Sequence, residues 1–167
     1  MFTRKASALA GLVLAMAVVG PTATLAAKGG TDRPFKFSAT GTSVLNLSNG
    51  QGQIALTGKS THAGLFQQTE QSQAVPTSEP GVVLFYSTWK SVAANGDELS
   101  GTCAGTGTTS DSVHFLVLLE CTSTGGTGRF EGASAAFGVV ANIARVSIDG
   151  ETAYNEIEAV GAGTISY

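Results

Sequence analysis

The residues in this sequence best suited to chemistry lie in "GGTGRFEGASAAFG", Gly125 to Gly138, where five glycines surround Arg129, Glu131 and Ser134. Gly126 and Gly128 begin a dinucleotide-binding fingerprint, but its third glycine belongs at position 131, which is Glu131; Gly132 comes one residue late. "GASAA" approximates a Gly-x-Ser-x-Gly nucleophile turn. That turn joins a strand to a helix in an α/β sheet, and this chain shows neither the helices nor partners for a triad. The stretch therefore reads as a tight corner entering a strand, with glycine supplying positive φ, Phe130 packed beneath, and Arg129 and Glu131 turned outward.

Other short motifs meet the same kind of test. "TGKS", Thr57 to Ser60, resembles the end of a phosphate-binding loop, but the required earlier glycine is replaced by Gln53 and the flanking residues alternate as a strand. Asp97 and Glu98 are an adjacent acid pair beside the hairpin signal Asn95-Gly96, and read as a solvated edge rather than an acid–base pair. Asn46-Leu47-Ser48 matches a glycosylation acceptor. Two histidines are present. Counted by alternation through "QIALTGKSTHAGLF", His62 shares a face with Ile54, Leu56 and Ser60, whereas His114 falls opposite to Phe115 and Val117 and should be wet. An imidazole inside an apolar interior can orient a ligand or move a proton near neutral pH. The alternative is a core imidazole hydrogen-bonded to a backbone carbonyl or to Ser60.

The elements that must position these residues begin after an export leader. Arg4 and Lys5 precede the apolar run Ala8 to Val19, and "PTATLAA" offers small residues for cleavage after Ala26, so 1–26 reads as a signal peptide and 27–167 as one secreted or periplasmic domain. The apolar run is shorter than the roughly 20 residues a spanning helix needs, so no membrane span is expected in the mature chain. The whole sequence carries a net charge of −3, and its acidic residues are scattered. Lys28, Arg33, Lys36, Lys59, Lys90, Arg129 and Arg145 form no run that could follow a phosphate backbone, which argues against a nucleic-acid partner.

Cys103 and Cys121 are the only cysteines. In an exported chain they are expected to form a disulfide, worth about 3 kcal/mol through lost unfolded-chain entropy. Without a histidine cluster they cannot build a metal site, and no cofactor is indicated.

Beyond residue 27 the recurring pattern has period two, broken by Gly, Asn, Asp, Ser and Pro. In "FKFSATGTSVLNL", Phe35, Phe37, Ala39, Gly41, Leu45 and Leu47 share a face. In "VVLFYSTWK", Val83, Phe85, Ser87 and Trp89 do so, and Pro76 and Pro80 bracket the turn before it. A Cys103–Cys121 bridge would set Gly105 opposite Leu119 and Gly107 opposite Val117, with the reversal at "TSDS" and large side chains filling the space left by glycines. "AFGVVANIARVSI" and "YNEIEAVGAGTISY" complete about eight strands. Such a set must hide its edges, and a closed antiparallel β-barrel does so; glycines on the inward face favour it over a sandwich.

In order and spacing, "STHAGLF", "AANGDELSG", "GGTGRFEGASAAF" and "GAGTISY" resemble a group of small exported bacterial proteins related to the allene oxide cyclase and dirigent type of β-barrel, over about Phe35 to Tyr167. The resemblance implies a closed barrel of about eight strands and a possible homo-oligomer. No position here matches the catalytic glutamate of the cyclases or the acidic residues of the dirigent proteins, so neither activity carries over.

Three functions are consistent with these readings. A non-catalytic barrel would hold a small apolar ligand among Leu56, His62, Phe85, Trp89 and Phe115. An isomerase or cyclase would use His62 as proton carrier with Asn155 or Ser60 as polarising group. A structural or interaction protein would have a filled lumen and no pocket beneath the Gly125–Gly138 corner.

Overall fold

A computed structural model describes residues 31–167; the expected signal peptide, 1–26, lies outside the described residues. Eight strands follow in order: β1 Arg33–Asn46, β2 Gln51–Ser60, β3 Gly64–Pro76, β4 Val82–Ala93, β5 Glu98–Thr108, β6 His114–Gly126, β7 Ser134–Asp149 and β8 Thr152–Ser166, with one 3-10 turn at Gly128–Phe130. Each strand pairs antiparallel with its neighbours in sequence, and β1 also pairs with β8, closing the barrel. Phe37 marks the closure, lying opposite Ser60 on one side and Gly161 on the other.

Alternation decides which residues face inward. Phe35, Ala39, Ile54, Leu56, Trp89, Val117, Phe137, Val139, Ile157 and Ile165 are buried in one continuous core, while their sequence neighbours are largely exposed. The cysteines register β5 against β6 as expected: Cys103 pairs with Cys121 and is disulfide-bonded to it, Gly105 lies opposite Leu119, and Gly107 opposite Val117. Glycines make room for rings elsewhere too. A Cβ at Gly161 would fall within the Phe37 ring, so this close approach of strand and aromatic requires glycine.

The sequence expectation fails between residues 51 and 76. "QIALTGKSTHAGLF" is not one strand but a hairpin: β2 ends at Ser60, Thr61 to Ala63 make the turn, and Gly64, at φ 67°, starts β3. Ser60 Oγ accepts the Ala63 N–H at 2.9 Å and holds the reversal. Parity cannot be counted through a turn, and this one conceals a whole strand.

Candidate functional site

The two ends of the barrel differ. One is formed by the β2–β3, β4–β5 and β6–β7 connections, together with the start of β1 and Tyr167. Here Phe137 meets Phe35 at 5.1 Å, Phe37 at 5.9 Å and Trp89 at 5.8 Å between ring centroids, and Phe37 meets Phe66 at 6.2 Å. The remaining space is about 30 Å3.

The Gly125–Gly138 stretch is the lid over this end. Gly132, at φ 72°, lets the chain turn into β7; Phe130 is 2% exposed beneath it, and Arg129 and Glu131 face out. Arg129 Nε meets Asp97 at 3.1 Å and Nη2 donates to Asn95 Oδ1 at 3.1 Å, tying the corner to the neighbouring hairpin. Glu98 pairs with Lys90 at 2.8 Å, so the Asp97-Glu98 acids serve surface ion pairs. Ser134, the residue of the approximate nucleophile turn, begins β7.

His62 belongs to this closed end, which corrects its expected place in the lumen among Ile54 and Leu56. Its Nε2–H donates to the Pro34 carbonyl at 2.9 Å and its Nδ1 is hydrogen-bonded with the Tyr167 hydroxyl at 3.0 Å. Because a carbonyl can only accept, Nε2 must carry a hydrogen, while the Tyr167 hydroxyl can pair with Nδ1 in either sense. Both ring nitrogens are engaged in structure. The other histidine, His114, is exposed as expected, with its Nδ1 2.8 Å from Asp111.

Toward the middle, a cavity of about 40 Å3 is bounded by Leu56, Phe85, Trp89 and Glu70. Leu56 and Trp89, two of the expected ligand contacts, thus face a space suited to about one water-sized group. Glu70 was not anticipated from the sequence. It is 8% exposed, and burial raises its pKa above the ordinary value of 4.5. Gln68 Nε2 donates to its Oε1 at 2.7 Å and opposes that rise. The Ser87 hydroxyl also draws the pKa down, although it makes no hydrogen bond of good geometry; the Trp89 Nε1–H is likewise buried without an acceptor. The signal for Glu70 was the alternation Phe66, Gln68, Glu70, Ser72, legible only once β3 is recognised.

The opposite end is open. Phe85, Phe115, Ser43, Asn155 and Arg145 line a mouth of about 350 Å3, within the range of small-molecule sites. Ile54, Phe85, Val117 and Ile143 border both this mouth and the inner cavity, so they form its apolar floor. Asn155 Nδ2 donates to Ser43 Oγ at 3.0 Å, both buried. A larger depression of about 950 Å3 beside Lys59, Leu65 and Val160 runs along the outer wall, open to solvent and outside the lumen.

Arg145 is set by its strand and by a loop. It continues the inward set Phe137, Val139, Ala141 and Ile143 and lies opposite Asn155, and the ladder slips one residue immediately after it, leaving Val146 unpaired and exposed. Its guanidinium lies 5.1 Å from the Phe115 ring centroid, and Nη1 donates to Ser112 O at 3.1 Å. The β5–β6 loop that presents Ser112 is itself ordered by Asp111. The His114 imidazole and the backbone N–H groups of His114 and Val113 hold that carboxylate far below the ordinary range.

Of the expected contacts, the structure therefore brings Phe85, Phe115 and Asn155 together at the mouth. It sets Leu56 and Trp89 deeper, and assigns Ser60 and His62 to the closed end. Among the described residues, no group of three His, Cys, Asp or Glu side chains could hold a metal ion, and no helix is long and apolar enough to cross a membrane. Neither the protein-family models nor the curated proteins contain a match to this sequence.

Proposed function

We propose that this protein is an exported binding barrel that takes a small, mostly apolar molecule end-on into its open mouth. The observation that carries the reading is the mouth itself: about 350 Å3 over a floor of Ile54, Phe85, Val117 and Ile143, with polar groups confined to its wall. Apolar burial on that floor supplies affinity, and Ser43, Asn155 and Arg145 supply orientation. At ~30 Å3 per water-sized unit, the space suits a ligand of roughly ten to twelve non-hydrogen atoms. The disulfide accords with export, and the resemblance to the allene oxide cyclase and dirigent barrels accords with a ligand held in the lumen.

The test is an NMR titration with octan-1-ol as a neutral apolar probe. Saturable shifts centred on Phe85, Phe115 and Ile143 are expected. Shifts centred on His62 and Phe130, or none, would remove the proposal.

A second reading, an isomerase, is favoured by one observation: a carboxyl, Glu70, lies beneath that floor with a raised pKa. In it Glu70, rather than His62, lends a proton to the ligand and recovers it. Glu70→Gln would then abolish turnover of a substrate while leaving its binding in place; unchanged turnover would end this reading.

A further inference from the structure

Resting on the proposed ligand site, we infer that the mouth selects an anionic ligand: a single carboxylate on a small apolar body, with the carboxylate received by Arg145. The inference begins with an uncompensated charge. Two ion pairs, Lys90–Glu98 and Arg129–Asp97, and a His114–Asp111 contact occur among the described residues, and Arg145 is in none of them. Its one hydrogen-bond acceptor is the neutral Ser112 carbonyl, and its Nε is buried with no partner. A partly desolvated guanidinium with unused donors is costly until an anion meets it, and its planar fork matches a carboxylate.

The surroundings favour the same ligand. Alternation from Phe137, Val139, Ala141 and Ile143 places this side chain on the inward face opposite Asn155, and the Phe115 ring beneath the guanidinium limits where it can swing. Nearby acids do not compete. Glu156 and Glu158 on β8 are exposed on the outer face, Asp149 and Glu151 are exposed at the β7–β8 turn, and Asp111 is engaged by His114. With one cation over an apolar floor, a monocarboxylate is matched and a polyanion is not. The volume limits its body to about the size of a medium-length alkyl chain or one aromatic ring.

The test compares three probes of one shape by calorimetry at low ionic strength: octanoate, octan-1-ol and octylammonium. Octanoate should bind about tenfold tighter than octan-1-ol, the scale of one charge-assisted hydrogen bond, and octylammonium weakest of the three. Arg145→Gln should bring octanoate to the level of octan-1-ol, and Arg145→Lys should keep only part of the preference. If octan-1-ol binds as tightly as octanoate, or if Arg145→Gln leaves their ratio unchanged, the anion preference is wrong while the mouth remains a binding site. If none of the three binds, the site and the inference fall together. The comparison within the wild-type protein decides the question even if a variant does not fold.

Discussion

At one end of the barrel Phe35, Phe37, Phe66 and Phe137 meet ring to ring beneath Phe130, and about 30 Å3 is left; at the other, Phe85 and Phe115 line about 350 Å3. The same strands build both ends. What differs is the chemistry of their inward positions. On β8, Gly161 clears space for Phe37 toward the closed end, whereas Asn155 and its partner Ser43 on β1 occupy the mouth. Rings packed against glycines exclude water, and small polar side chains with one arginine leave room for it and for a ligand. The barrel thus packs one end tightly and leaves the other open, the end at which we propose a ligand enters.

The largest expected effect tests the closed end against the mouth directly. Phe137→Ala removes a ring that touches three others and should cost about 3–5 kcal/mol in denaturant unfolding. Phe115→Ala, at a half-buried position, should cost about 1–2 kcal/mol. Equal losses would mean that the two ends do not divide the work this way. A smaller effect is expected of His62→Ala, which removes two hydrogen bonds at the closed end: about 1–2 kcal/mol of stability, with octan-1-ol affinity unchanged. A parallel loss of affinity would couple the ends.

The smallest effect concerns the carboxyl between the ends. Because the folded state raises the pKa of Glu70, its contribution to stability is fully present below the ordinary value of 4.5 and is lost as pH rises through the folded-state value. Glu70→Gln, which can still accept from Gln68, should therefore gain stability relative to wild type as pH is raised from 4 to 8. A difference that stays flat with pH would show that burial does not strain this group.

Most of the barrel was legible in the sequence because side chains on a strand alternate whatever lies across from them. Phe35 and Phe37 on β1 and Phe85 and Trp89 on β4 are assigned to one face without coordinates, and the cysteines supply the β5–β6 register. The site was less legible. Alternation counted through the Thr61–Ala63 turn puts His62 inward, and Glu70 becomes legible only once β3 is separated from β2 at that turn. Phe85, Phe115 and Asn155 were identified, but nothing local showed that they meet at one end. Arg145 has the inward parity of Ile143, but its contacts with Phe115 on β6 and the Ser112 carbonyl of the β5–β6 loop depend on how those elements are brought beside β7.

By itself the sequence determined an all-β chain, its inward faces and the bridge between β5 and β6, because period-two alternation and paired glycine–large positions are local or near-local patterns. Tertiary structure alone decided where the chain reverses after Ser60, which end of the lumen is plugged, that Glu70 faces into it, and what Arg145 meets there. Those features depend on how all eight strands close on one another, and closure sums contributions from residues far apart in the chain.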